Sequence, residues 1–176
     1  MNKNISHWQF AGFGFTSLAG TVLHFLYDIC GKSLLLAPVS AVNESTWEHM
    51  KLLFFPLFIF AIIERIFLKE IRLYWAVKLK GTFLGLSLIP IIFYTYNGMF
   101  GKSPDWINIS IFFVAAATTF IYEPKHLKHD DHSIISNRIA LMVFGLISAA
   151  FILFTFFTPE IPLFMDPITG TYGIKN

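Results

Sequence analysis

Apolar residues run through this chain in long blocks, not in the short alternating patches of a water-soluble fold. A helix needs about 20 mostly apolar residues to cross a lipid core. Such stretches fall near residues 9–28, 50–68, 77–96, 106–122 and 139–158. The pattern predicts an all-α integral membrane bundle of about five transmembrane helices, with little soluble mass outside it. Pro56 and Pro90 lie inside the second and third blocks, where neighbouring helices can satisfy the freed carbonyls, so kinks are predicted and not breaks. Gly81 and Gly85 have the GxxxG spacing that lets two helices approach closely. Lys51, Glu64 and Arg65 lie near the ends of the second block, where long side chains reach the interface.

Composition agrees with this picture. The chain has 176 residues, 55% hydrophobic and 14% charged, with a mean hydropathy of +0.62. A soluble domain carries about 25% charged residues, so this one has too little polar surface to face water. The length suits one domain over residues 1–176. A net charge of +2 argues against a nucleic-acid partner and leaves the lipid bilayer as the environment. Cys30 is the single cysteine, which excludes an intrachain disulfide. The first block is too long for a cleaved signal peptide and reads as a retained helix.

Basic residues orient the bundle. Arg65, Lys69, Arg72, Lys78 and Lys80 cluster between the second and third blocks, and Lys125, Lys128 and Arg138 between the fourth and fifth. With Lys3 they fall on one side, against Lys32, Lys51, Lys102 and Lys175 on the other. The amino terminus is therefore predicted cytoplasmic and the carboxyl terminus extracytoplasmic, in a multi-pass protein of the cell membrane.

The candidate chemistry gathers on the extracytoplasmic side. Ser17, Thr21, His24 and Asp28 recur at helical spacing and form one stripe, read as an inward-facing polar seam. Ionisable groups at membrane depth are costly and usually face the bundle interior or water. Asp28 alone reads equally well as a solvated helix end. The segment Asn43-Glu44-Ser45-Thr46-Trp47-Glu48-His49 opens the second helix on the same side. Ser45 and Glu48 fit a capping box, and Trp47 fits an interface anchor. Neither role accounts for Glu44 or His49. His24, Asp28, Glu44, Glu48 and His49 would meet if the first two helices pack as a hairpin. His24, Asp28 and His49 then form a ligand set for a divalent transition metal such as zinc, with one position open. The same groups would equally serve as a proton-transfer cluster.

Further residues belong to this side. Tyr94 ends the third helix, and Asp105-Trp106 opens the fourth. The tail from Pro159 to Gly173 contains Asp166, is broken by proline and glycine, and is too apolar to float free. It is expected to fold over the mouth of the bundle as a lid, or to lie at the interface. The candidate ligand-binding residues are thus His24, Asp28, Asn43, Glu44, Glu48, His49, Tyr94 and Asp166. On the opposite side the run Lys125–His132 is rich in histidine and reads as a solvated loop.

The elements His24–Asp28, Pro38–His49 and Pro162–Gly173 resemble those of an uncharacterised family of small bacterial multi-spanning membrane proteins, grouped as a domain of unknown function. That resemblance implies the membrane fold and no activity. The segment Asn43–His49 also has a local resemblance to the Asn-Glu…Trp-Thr-His element of the progestin/adipoQ-receptor and haemolysin-III-like membrane hydrolases, whose chemistry implies roles for Glu44 and His49. That family has seven spans and a late His-x-x-x-His, which this chain lacks.

Three readings follow. The first is binding or transport of an ion or small polar solute at the His/carboxylate site, in a homo-oligomer because one chain shows no inverted repeats. The second is a metal-dependent hydrolase of a lipid or lipid-linked substrate, with Glu44 or Glu48 as base. The third is a structural or partner subunit whose polar groups only cap and join helices.

Overall fold

A computed structural model describes residues 2–128 and 134–174. Their order is α1 (Asn2–Ile29), α2 (Thr46–Phe67), α3 (Tyr74–Phe100), α4 (Asp105–Lys128) and α5 (Asn137–Phe156), followed by a single 3-10 turn at Pro162–Phe164. The described residues form no sheet; one isolated bridge joins Met165 to Tyr172 in the tail. α1, α3 and α4 run past their apolar blocks at both ends, whereas α2 and α5 start before theirs and stop one or two residues sooner. Pro56 and Pro90 sit within unbroken α2 and α3.

Four helices, α1 (over Ile5–Ile29), α3, α4 and α5, are long and apolar enough to cross a membrane. In α2 the apolar run is interrupted by Glu48, Lys51, Glu64 and Arg65. Its position explains how it tolerates them. α1 packs on α2, α2 on α3, α3 on α4 and α4 back on α1, which closes a ring, and α5 leans on α3. α2 also touches α4, α5 and the 3-10 turn, so Glu48, Lys51 and Glu64 are buried while Ile59, Ile62 and Ile66 remain exposed. Twelve of its residues are buried, against four in α5.

Small residues bring the helices together. A Cβ on Gly85 would collide with Thr119 Oγ1 and come within 3.1 Å of the Ala115 carbonyl. Thr119 Oγ1 donates to the Gly81 carbonyl at 3.0 Å. The GxxxG spacing therefore marks the α3–α4 seam, where a hydroxyl bonds directly to backbone. On α1, Gly12 admits the rings of Phe60 and Phe120, and Gly20 admits Phe112, whose ring would lie 2.5 Å from a Cβ.

Two expectations about charge need correction. Lys51 and Glu64 do not reach the interface; both are 0% exposed. Lys51 Nζ pairs with Glu48 at 2.6 Å and donates to the Ala37 carbonyl and to Thr155 Oγ1. Glu64 belongs to a cluster to which every helix of the ring contributes. It accepts from Gln9 Nε2 at 2.6 Å and from the Tyr74 hydroxyl at 2.8 Å, and it pairs with Lys78. Lys78 also meets Glu123 at 2.5 Å. These charges are tolerated in the interior because each is paired with an opposite charge and hydrogen-bonded. Only Arg65 keeps to the helix end, donating to the carbonyls of Leu68 and Ile71.

Candidate functional site

Residues 42–49 form a braced corner at the opposite end of the ring. Asn43 Oδ1 accepts from the Ser45 amide at 2.9 Å, which shapes the turn. Asn43 Nδ2 donates to the Gly173 carbonyl at 3.0 Å, which ties the turn to the tail. Gly173 has φ +67°, and a Cβ there would lie 2.6 Å from Thr158 Oγ1, so only glycine fits. Ser45 caps α2 by accepting from the Glu48 amide at 3.4 Å. The reciprocal half of the capping box is absent. Glu48 turns inward, accepts from the Val42 amide at 3.0 Å and pairs with Lys51. The buried ammonium competes successfully for that carboxylate, because it would otherwise be left unpaired.

This brace holds Glu44 between two imidazoles. His24 Nε2 lies 3.7 Å from Glu44 Oε1, and His49 Nε2 lies 3.6 Å from Glu44 Oε2. The imidazole rings are 5.5 Å apart. One donor atom from each residue falls within 4.8 Å of the others. His49 Nδ1 lies 2.9 Å from the Ser45 carbonyl. A carbonyl only accepts, so Nδ1 carries a proton, and Nε2 is the ring nitrogen on the Glu44 side. Metal-binding histidines are held in this way by an outer-shell acceptor. His24 sits edge-on to Phe25, with ring centroids 4.7 Å apart. All three side chains are half-buried.

The cluster opens onto a cavity of about 480 Å³ between α1, α2 and α4. Its polar lining is Thr21, His24, Glu44, His49, Asp105 and Asn108; the rest is apolar, including Phe25, Phe112, Phe113 and Ile168.

The chain's relatives can now be set beside this geometry. The sequence model of a family of unknown function, DUF6512, matches residues 1–174. The chain belongs to this family. No curated protein and no solved structure matches it. Membership in DUF6512 brings no activity with it, and the site has to be read from its own chemistry.

The other candidate residues in this DUF6512 chain lie elsewhere. Asp28 is exposed at the end of α1, one turn beyond His24 and outside the three-residue cluster. The α1 stripe is not wholly inward: Thr21 is exposed, and its hydroxyl bonds back to the Ser17 carbonyl at 2.8 Å. Asn43 and Glu48 brace the corner, as described above. Tyr94 is 39% exposed and packs edge-on against Phe93. Asp166 is buried in the tail, where it accepts from the Ile168 amide and the Thr169 hydroxyl at 2.8 Å. Trp47 stacks on Phe151 and Phe164, and so seats the tail on α2 and α5. In the histidine run, His126 stacks on Tyr122 with centroids 3.9 Å apart, while residues 129–132 lie outside the described residues.

Two groups of functional interest were not assigned a site in the sequence. Asp105 and Asn108 line the cavity, and their signal was a polar α4 start facing the same end as His24. Gln9, Lys78 and Glu123 join Glu64 in the buried cluster. Each is a polar residue more than a turn inside an apolar helix.

Proposed function

We propose that this protein binds a divalent transition metal, zinc in type, through His24, Glu44 and His49. The convergence of two imidazoles and one carboxylate within 4.8 Å carries the reading. In a tetrahedral zinc site with bonds of about 2.0–2.1 Å, neighbouring ligand atoms lie about 3.3–3.4 Å apart. The His–Glu separations of 3.6 and 3.7 Å need only a small inward movement of half-buried side chains. Three protein ligands leave one position open, and the cavity adjoins it.

Glu44 replaces Asp28 in the ligand set that the sequence suggested, because the Asn43 brace points it between the imidazoles. The arrangement favours binding or transport of the ion over hydrolysis by either base that the sequence suggested. A hydrolase needs a base beside the metal. Glu44 is occupied as a ligand in this scheme, and Glu48 is held by Lys51 at 2.6 Å.

The same reading includes five crossings of the cell membrane, with the amino terminus cytoplasmic. α2 has 22 residues and spans about 33 Å, enough for a lipid core of about 30 Å. Protein covers Glu48, Lys51 and Glu64, so lipid does not meet them.

Metal analysis tests the site. Purified protein loaded with zinc and desalted should retain about one equivalent, and His24→Ala, Glu44→Ala and His49→Ala should each lose it. Retention below about one-tenth of an equivalent by the wild type would overturn the assignment.

A further inference from the structure

The cavity beside the cluster has its own chemistry. Its lining includes two carboxylates, Glu44 and Asp105, and no lysine or arginine. His24 and His49 add no permanent charge. Three phenyl rings, Phe25, Phe112 and Phe113, supply much of the remaining wall. Aromatic faces and carboxylates together, with no basic side chain, are the chemistry that recognises a quaternary ammonium or similar organic cation. The volume, about 480 Å³, suits a drug-sized molecule and is far more than a metal ion needs.

The way in is equally specific. Thr21, Phe25, Ile109 and Phe113 line the cavity and are also exposed, on the outward faces of α1 and α4. Leu18, Val22 and Ile29 continue that exposed apolar face along α1, as Val114 and Ile121 do along α4. Within a bilayer this gap opens to lipid, so an occupant must be soluble there. Gly20 marks where the gap begins: Phe112 packs closely against it, and the cavity lies from Gly20 toward the helix ends.

We propose that the cavity between α1 and α4 is a binding site for lipophilic organic cations that enter laterally from the membrane. The apolar body lies against the phenyl rings, and the positive charge lies between Glu44 and Asp105. The site goes beyond the metal reading; His24, Glu44 and His49 border both, while Thr21, Asp105 and the phenyl rings belong to the cavity alone and allow a separate test.

Tetraphenylphosphonium is a suitable probe, since its charge is permanent and its body apolar; tetraphenylborate has a similar shape and the opposite charge. Equilibrium dialysis of the detergent-solubilised full chain should show saturable binding of one tetraphenylphosphonium per chain, and tetraphenylborate should not compete. Thr21→Trp fills the cavity and should weaken binding by about tenfold or more. Asp105→Asn removes one charge and should weaken it by about threefold to tenfold. Zinc retention should be unchanged in both variants. Bound zinc should compete with the probe through Glu44. Equal affinity for the two probe ions, or tetraphenylphosphonium binding unaffected by both Thr21→Trp and Asp105→Asn, would overturn the proposal and leave the metal site standing. Probe binding that follows this pattern in a chain that retains no zinc would support it and overturn the metal site alone.

Discussion

Two polar clusters occupy opposite ends of the same helical ring, and they differ in almost every physical respect. Gln9 and His24 lie fifteen residues apart on α1, as do His49 and Glu64 on α2. The separation is about 22 Å along each helix. In the Gln9–Glu64–Lys78–Glu123 cluster a buried ammonium meets two carboxylates, and Tyr74 and Gln9 supply further donors. In the His24–Glu44–His49 cluster no pair is closer than 3.6 Å, the groups are half-exposed, and a cavity adjoins them. In the first, every helix of the ring provides a partner to the shared charges, and Gln9 Oε1 and Glu123 Oε1 are the atoms left without one. The second is two imidazoles around one carboxylate, with no lysine or arginine lining the adjoining cavity. The half-exposed cluster beside a cavity, and not the buried, charge-paired one, is therefore the functional candidate.

The largest test of that contrast is Lys78→Met. Removing the ammonium leaves two buried carboxylates facing each other and should destabilise the fold by about 3–5 kcal/mol. Thermal unfolding in detergent measures this. Replacing the whole set, Lys78→Met with Glu64→Gln and Glu123→Gln, should recover much of the loss, since exchanging a complete buried ion set for neutral groups is often tolerated. A triple variant no more stable than the single one would mean that packing, not charge balance, governs this end.

Next in size is the seam that carries Glu123. Gly85→Val would drive a side chain into Thr119 and the Ala115 carbonyl and should cost about 1–3 kcal/mol. The same unfolding measurement should show no comparable effect for Gly14→Val, because nothing lies within 4 Å of a Cβ there.

Asn43→Ala joins stability to function. It removes the bonds to Ser45 and Gly173 and should cost about 1 kcal/mol. Because that brace aims Glu44, zinc affinity should fall by about 10- to 100-fold, as for other outer-shell residues, in a direct titration. Unchanged zinc affinity would show that Glu44 needs no positioning.

The smallest effect on stability should come from the open cluster itself. His24→Ala removes no short bond and should shift stability by under about 1 kcal/mol while abolishing zinc retention. A large loss of stability at His24, comparable with that at Lys78, would erase the distinction between the two ends.

Much of this architecture was legible in the chain. The five helices follow from the five apolar blocks, four of which form helices long and apolar enough to cross a membrane, and the GxxxG pair marked a close helix contact. His24, Glu44 and His49 stood out because helix capping and interface anchoring left them unexplained. Asp28 matched the stripe as well as His24 did, and nothing in the spacing told the two apart. Glu64 and Lys51 were the opposite case: each charge lay near the end of an apolar block, where a snorkelled side chain is the simplest reading, and Lys78 counted only toward the orientation of the bundle.

The sequence by itself determined the local facts: which segments are helical, how long they are, where glycine must stand, and that ionisable groups recur at both ends. Those depend on residues within a few turns of one another. Only the tertiary structure decided which charges are shared. Lys78 pairs with Glu64 and Glu123 because α2, α3 and α4 converge there, and Glu44 faces two imidazoles because Gly173, 130 residues away, accepts from Asn43. Whether a polar group is satisfied or open depends on the depth and angle at which distant helices meet, and helical periodicity carries no record of either.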